Sequence, residues 1–135
     1  MPRRGQLSLP LVEAGVGVLL VFAVVSGFLL ALPDQGVEHV QLDADARDTL
    51  AVLAADAPRH GDATRLAEVT RSPAAFEREA PALERRVTRI LPGNVLFELR
   101  TPYGDVGYPP PSNVAFGASS RPTPYGRVTL RVWYA

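Results

Sequence analysis

AGVGVLLVFAVVSGFLLALP, residues 14–33, contains no ionisable side chain. At about 1.5 Å rise per residue, a helix of this length covers roughly the 30 Å hydrocarbon thickness of a bilayer. The apolar run reaches back to Leu7 with Glu13 as its one charge, and Met1-Pro2-Arg3-Arg4-Gly5-Gln6 precedes it. A transmembrane helix over residues 6–33 is predicted. A cleaved secretory signal carries a hydrophobic stretch of about 7 to 15 residues and a small-x-small cleavage site. This run is longer and ends Leu30-Ala31-Leu32-Pro33, so a retained helix is expected. Arg3 and Arg4 flank one end and Asp34 and Glu38 the other. Positive charge stays on the cytoplasmic side, which predicts a single-pass protein of the cell membrane, N-terminus inside and the C-terminal domain outside.

Within the helix, Ala23, Gly27 and Ala31 recur every four residues and share one face. Lipid supplies no hydrophobic drive for helices to associate, so a small-residue stripe that lets backbones approach is a helix-packing surface. Gly15 and Gly17 do not form a nucleotide loop, since they lie in the apolar run with no strand before them.

Residues 34–135 leave room for one small domain. The chain has no cysteine, and its 14 basic residues, all arginine, balance 14 acidic ones. Disulfides and thiolate chemistry are excluded. No basic block is long enough to track nucleic acid. Val37, Val40, Ala44, Leu50, Leu53, Ala54 and Ala57 fall mostly at three- and four-residue spacings, predicting an amphipathic helix from Val37 to Ala57. Pro33, Asp34 and Gly36 bend it or break it from the membrane helix. After Pro58-Arg59-His60-Gly61, Asp62 is the expected N-cap of a short helix carrying Leu66 and Val69. Ser72-Pro73 opens the next helix, with Phe76, Ala80, Leu83, Val87 and Ile90 as its stripe and Pro81 as the expected start of a second segment.

At Leu91-Pro92-Gly93-Asn94 the period changes to two. Val95, Phe97 and Leu99 alternate with Leu96, Glu98 and Arg100, as a strand with one buried face requires. Thr101-Pro102-Tyr103-Gly104 reads as a turn into a return strand around Val106 to Tyr108. Pro109-Pro110-Pro111-Ser112-Asn113 is a loop, and residues 119–124 are read as another. Arg127 to Tyr134 alternate again, placing Val128, Leu130, Val132 and Tyr134 on one face. Trp133 falls on the other, exposed or covered by a folded loop. The predicted class is α+β: an N-terminal transmembrane helix, a helical middle and a small C-terminal antiparallel sheet.

Catalytic constellations are not legible in this order of residues. Neither His39 nor His60 has a spaced carboxylate or second histidine that reads as a metal site, and no metal or cofactor is expected. Ser8, Ser72, Ser112, Ser119 and Ser120 lack a nucleophile-elbow setting. Asp43, Asp45 and Asp48 are followed by no calcium-loop glycine and glutamate; helical periodicity accounts for them. Arg85, Arg86 and Arg89 read as a solvated helix face before an anion site. No enzyme is predicted.

Arg4-Gly5-Gln6, set directly before the apolar run, resembles the class III signal of archaeal type IV pilins and archaellins. There a membrane peptidase cuts after a small residue that follows a basic one, commonly leaving Gln first. The resemblance implies a basic leader at residues 1–5, a cut between Gly5 and Gln6, and a surviving hydrophobic helix able to leave lipid for a filament core. Bacterial type IV pilins carry a glutamate at the fifth place after the cut; this chain has Pro10 there and Glu13 at the eighth. Glu13 is the candidate for pairing with a neighbouring subunit's amino terminus. The whole chain also resembles an uncharacterised haloarchaeal family of pilin-like membrane proteins. That likeness rests on the Arg4-Gly5-Gln6-Leu7 start, Pro58-Arg59-His60-Gly61, Ala63-Thr64-Arg65-Leu66-Ala67-Glu68-Val69-Thr70, and the Val128 to Ala135 ending. The implied function is a pilin-like or pseudopilin-like structural subunit of a type IV pilus or related secretion filament. Its implied partners are membrane lipid, a prepilin peptidase, other pilin-like subunits and an assembly platform. The alternative is an uncleaved anchor protein serving a membrane secretion complex.

Overall fold

In the computed structural model, residues 8–31 and 35–135 are described. The chain divides into two compact units, Met1–Asp34 and Gln35–Ala135. In the first, helix α1 runs Ser8–Ala31, and Leu9–Leu30 is long and apolar enough to cross a membrane. Its large apolar side chains are exposed, from Leu9 to Leu30. A helix apolar all round needs an apolar environment, lipid or other helices. Pro10 lies in the opening turn, where a missing N–H costs nothing. The bend expected around Pro33 falls outside the described residues.

The second unit contains α2 (Gln35–Ala55), α3 (Arg65–Val69), α4 (Pro73–Ile90) and strands β1 (Val95–Thr101), β2 (Gly104–Gly107), β3 (Gly117–Thr123) and β4 (Gly126–Tyr134). The strands form one sheet in the order β2-β1-β4-β3, antiparallel throughout. This is the α+β class expected from the change of period at Leu91. Val95, Phe97 and Leu99 of β1, Val106 of β2 and Val128, Leu130 and Val132 of β4 are buried together with Leu42, Ala46, Leu50 and Leu53 of α2, Leu66 and Val69 of α3 and Leu83 and Val87 of α4. Period-two and period-3.6 patterns thus meet in one core between the helices and a single face of the sheet.

Several elements depart from the sequence reading. The buried stripe of α2 is Leu42, Ala46, Thr49, Leu50 and Leu53, while Val37 and Val40 are 74% and 70% exposed. The first turns of α2 therefore contribute nothing to this core, and apolar spacing overestimated the buried length. The N-cap of α3 is Thr64, whose Oγ1 accepts the Ala67 amide at 3.1 Å. Asp62 instead accepts the Ala63 amide at 2.7 Å. Ser72 caps α4 as expected, accepting the Ala75 amide. However, Pro81 lies inside α4 without ending it. Pro81 and Glu77, whose carbonyl loses its helical partner, are both exposed, so water can take the missing hydrogen bond.

Residues 117–123, read partly as loop, are the edge strand β3. Pro122 is tolerated there because an edge strand has one side without ladder bonds. No apolar alternation marks β3, since it needs small residues: a Cβ at Gly117 would collide with the backbone of Leu42 and Asp43 on α2. Asp43 Oδ1 accepts the Ala118 amide at 2.9 Å, so α2 also blocks an open sheet edge. Both hairpins turn on the same four residues, Thr101-Pro102-Tyr103-Gly104 and Thr123-Pro124-Tyr125-Gly126. In each, the threonine hydroxyl accepts the tyrosine amide at 3.2 Å and donates to the glycine carbonyl at 2.8 Å. Because β1 and β4 are antiparallel, the two turns lie at one end of the sheet, and a Cβ at Gly126 would strike Pro102.

The second face of the sheet is not simply solvated. Trp133, opposite Leu96 on β1, is 2% exposed. Phe116 stacks on the Arg131 guanidinium at 5.1 Å, which brings the loop before β3 onto this face. Of the two readings of Trp133, the covered one holds. Glu98 is also buried, within 3.4 Å of Arg100 and 3.7 Å of Arg131.

The helix-to-edge approach gives a direct test. Gly117→Ala is expected to lower stability by about 1–3 kcal/mol, the usual cost of overpacking, because the obstruction is backbone. Gly93→Ala, where a Cβ meets nothing within 4 Å, is the control and should stay within about 0.5 kcal/mol. Urea unfolding of the detergent-solubilised chain measures both; equal midpoints would mean that α2 does not rest on β3.

Candidate functional site

Two of the buried carboxylates of the second unit, Glu68 and Glu79, lie at the loop that follows α2. Residues 56–64 connect α2 to α3, and Gly61 takes φ +129°, a conformation that side chains disfavour. Two glutamates rise beneath this loop. Glu68, on α3, is 1% exposed; its Oε2 accepts the Arg59 amide at 2.7 Å and its Oε1 the His60 amide at 2.6 Å. A buried carboxylate is tolerated when such donors replace water. Glu79, on α4, is 2% exposed. Its Oε1 lies 2.5 Å from His60 Nδ1 and accepts Arg78 Nε at 3.0 Å. Its Oε2 is buried without a hydrogen bond, 3.5 Å from Arg59 Nη1.

His60 Nδ1 thus sits between carboxylates from two helices, 3.6 Å from Glu68 Oε1. The imidazole and the two carboxylates each bring one ligand atom into a cluster in which all three lie within 4.8 Å of one another. Burial alone pushes the Glu79 carboxyl up. The hydrogen bonds from Arg78 and His60, with the positive charges of His60 and Arg59, outweigh it and hold the group below its ordinary value. An imidazole nitrogen and two carboxylates in this arrangement can share a proton or bind a cation.

Asp56 makes a separate ion pair beside the cluster. Arg86 donates to it through Nε at 2.8 Å and Nη2 at 3.0 Å, and Arg65 stands 3.7 Å away. The Arg86 hydrogen bonds lower the Asp56 pKa against the opposing effect of burial. Of the arginines read as a helix face, Arg85 and Arg89 are exposed, whereas Arg86 is neutralised by this bidentate contact.

The residues singled out from sequence are dispersed. Arg4, Gly5 and Gln6 lie outside the described residues. Glu13, Ala23, Gly27 and Ala31 all belong to α1, with Glu13, Ala23 and Gly27 exposed and open space around Gly27. His39 is exposed on α2. Asp43 and Asp45 are engaged separately, with Ala118 and with Gln41. Glu68 and Glu79 were not singled out. Their signal is an acid on an apolar face: Glu68 between Ala67 and Val69, and Glu79 four residues from both Ala75 and Leu83, all buried. The partners of His60 do not come from helical spacing; α3 and α4 bring them from 8 and 19 residues away.

The chain belongs to a family of unknown function, DUF7262, whose model matches residues 3–134. Neither the curated proteins nor the solved structures contain a match to it.

The depressed Glu79 pKa fixes the sign of a pH effect. A carboxylate lowered by folding contributes stability above its unfolded value, near 4.5, and loses it as pH falls through the folded one. Glu79→Gln should therefore unfold at lower urea than the wild type at neutral pH, with the gap closing as the solution is acidified below that value. A gap independent of pH would show that the charge on Glu79 contributes nothing.

Proposed function

We propose that this member of DUF7262 is a pilin-like structural subunit, processed between Gly5 and Gln6 and carried by α1 into a type IV pilus or related secretion filament of an archaeal cell surface. One observation carries the reading most directly. An all-round apolar helix at the N-terminus is followed by a unit in which an amphipathic helix lies on a C-terminal antiparallel sheet. That order is the plan implied by the resemblance to pilins. A helix built only as an anchor needs lipid on every side. One that also bears Ala23, Gly27 and Ala31 along a face has a means of packing against copies of itself. In this reading Glu13 pairs with the amino terminus freed on a neighbouring subunit, the peptidase acts at the cytoplasmic face, and residues 35–135 stand outside the membrane. The function is assembly, with no catalytic step.

The competing role is an uncut anchor serving a secretion complex. Mass spectrometry of the membrane-extracted protein distinguishes them: Gln6 is expected as the first residue, and Gly5→Val should preserve the five-residue leader. Intact Met1 or Pro2 at the start of every wild-type molecule would remove processing from the account. If Gln6 is first but the protein is missing from sheared surface fibres, the filament role fails and a place in a secretion apparatus remains.

A further inference from the structure

We propose that His60, Glu68 and Glu79 form a divalent transition-metal site of the zinc type that staples the 56–64 loop to α3 and α4. The donors are one imidazole nitrogen and two carboxylate oxygens, donor types that zinc accepts, with water left to complete its coordination. Calcium and magnesium prefer shells made of oxygen alone.

The geometry is close to that of a loaded site. Zinc sits about 2.0–2.2 Å from nitrogen and oxygen ligands, which places neighbouring donors about 3.3 Å apart in a tetrahedron. Nδ1 of His60 is 3.6 Å from Glu68 Oε1 and 2.5 Å from Glu79 Oε1. Loading therefore asks the His60–Glu79 pair to open by less than about 1 Å and the two carboxylates, whose ligand atoms lie within 4.8 Å of the others, to close by up to about 1.5 Å. His60 has room to do this, since 47% of its side chain is exposed. Nδ1 can ligate a metal only without a proton, so acid weakens binding.

A second observation points to a ligand. Glu79 Oε2 is buried and accepts no hydrogen bond, in a residue 2% exposed. Among the described residues this oxygen has only the Arg59 guanidinium, 3.5 Å away and beyond a hydrogen bond, in place of water; a cation beside Oε1 can recruit it. Glu68 is already oriented by two backbone amides, the kind of outer support that fixes a metal-bound carboxylate. Arg59 and Arg78 are the charges that compete with a metal. Their side chains are 44% and 50% exposed, so their hold on Glu79 is screened by solvent and they can turn outward.

The chain has no cysteine. A domain of about a hundred residues without disulfides gains from another covalent-like tie, and a metal bound only by the folded form adds its binding free energy to folding. The site does not depend on whether residues 1–5 are removed.

The test uses the full-length chain without a histidine tag, solubilised in detergent and stripped with chelator. Titration with Zn²⁺ should show one ion per chain and raise the unfolding temperature, reversed by EDTA. His60→Ala should weaken binding at least about tenfold, while His39→Ala should leave it unchanged. Zinc-edge X-ray absorption of the wild type should show a nitrogen and oxygen shell with one imidazole, and it decides the matter even if His60→Ala fails to fold. Absence of binding, an unaffected His60→Ala, or a shell without imidazole overturns the proposal.

Discussion

The second unit depends on the contact between α2 and the sheet. With no disulfide to limit the unfolded chain, burial must offset conformational entropy. Each fully buried Leu or Val contributes only about 1.5–3 kcal/mol, against roughly 1–2 kcal/mol per residue for ordering the backbone. Leu42, Ala46, Leu50 and Leu53 on one side and Val128, Leu130 and Val132 on the other are each at most 1% exposed. The two surfaces complete each other. Gly117 sets how closely they meet: without a side chain there, the helix backbone reaches the edge strand, and Asp43 can occupy the Ala118 amide that an open edge would leave free.

Charge has a separate task in the same unit. Taking a carboxylate out of water costs several kcal/mol unless partners replace the solvent, so Asp56, Glu68 and Glu79 constrain the segments around them. Glu68 holds the loop through the Arg59 and His60 amides. Arg86 joins α4 to Asp56, just beyond α2, and Glu79 draws His60 toward α4. Apolar contacts therefore place helices on the sheet, while ion pairs and backbone donors determine how residues 56–64 lie over α3 and α4. In α1 the balance differs: its apolar side chains are exposed all round, and a helix of that kind suits lipid or neighbouring helices better than water.

Legibility in the sequence followed the strength of the local pattern. Leu91-Pro92-Gly93-Asn94 marked the change from helices to strands because the apolar period itself changes there, and Ser72-Pro73 marked a cap because both residues favour the first turn. Residues 117–123 were opaque: Gly, Ala and Ser stand where close packing against α2 forbids the large side chains that advertise a strand. Pro81 misled for the opposite reason, since a strong local breaker yields when its neighbours anchor the helix on both sides. The second Thr-Pro-Tyr-Gly turn was written as plainly as the first, but the uninformative strand before it hid its role.

The order of residues by itself determined the apolar helix, the α+β class and the faces of β1 and β4. Those follow from length, period and turn chemistry within a few neighbouring residues. Tertiary structure alone decided that Trp133 is covered, that Val37 and Val40 stand outside the core, and that His60, Glu68 and Glu79 meet. Each of these depends on which distant segment arrives against a given face. Neither periodicity nor spacing carries that information, because it arises only when segments distant in sequence pack together.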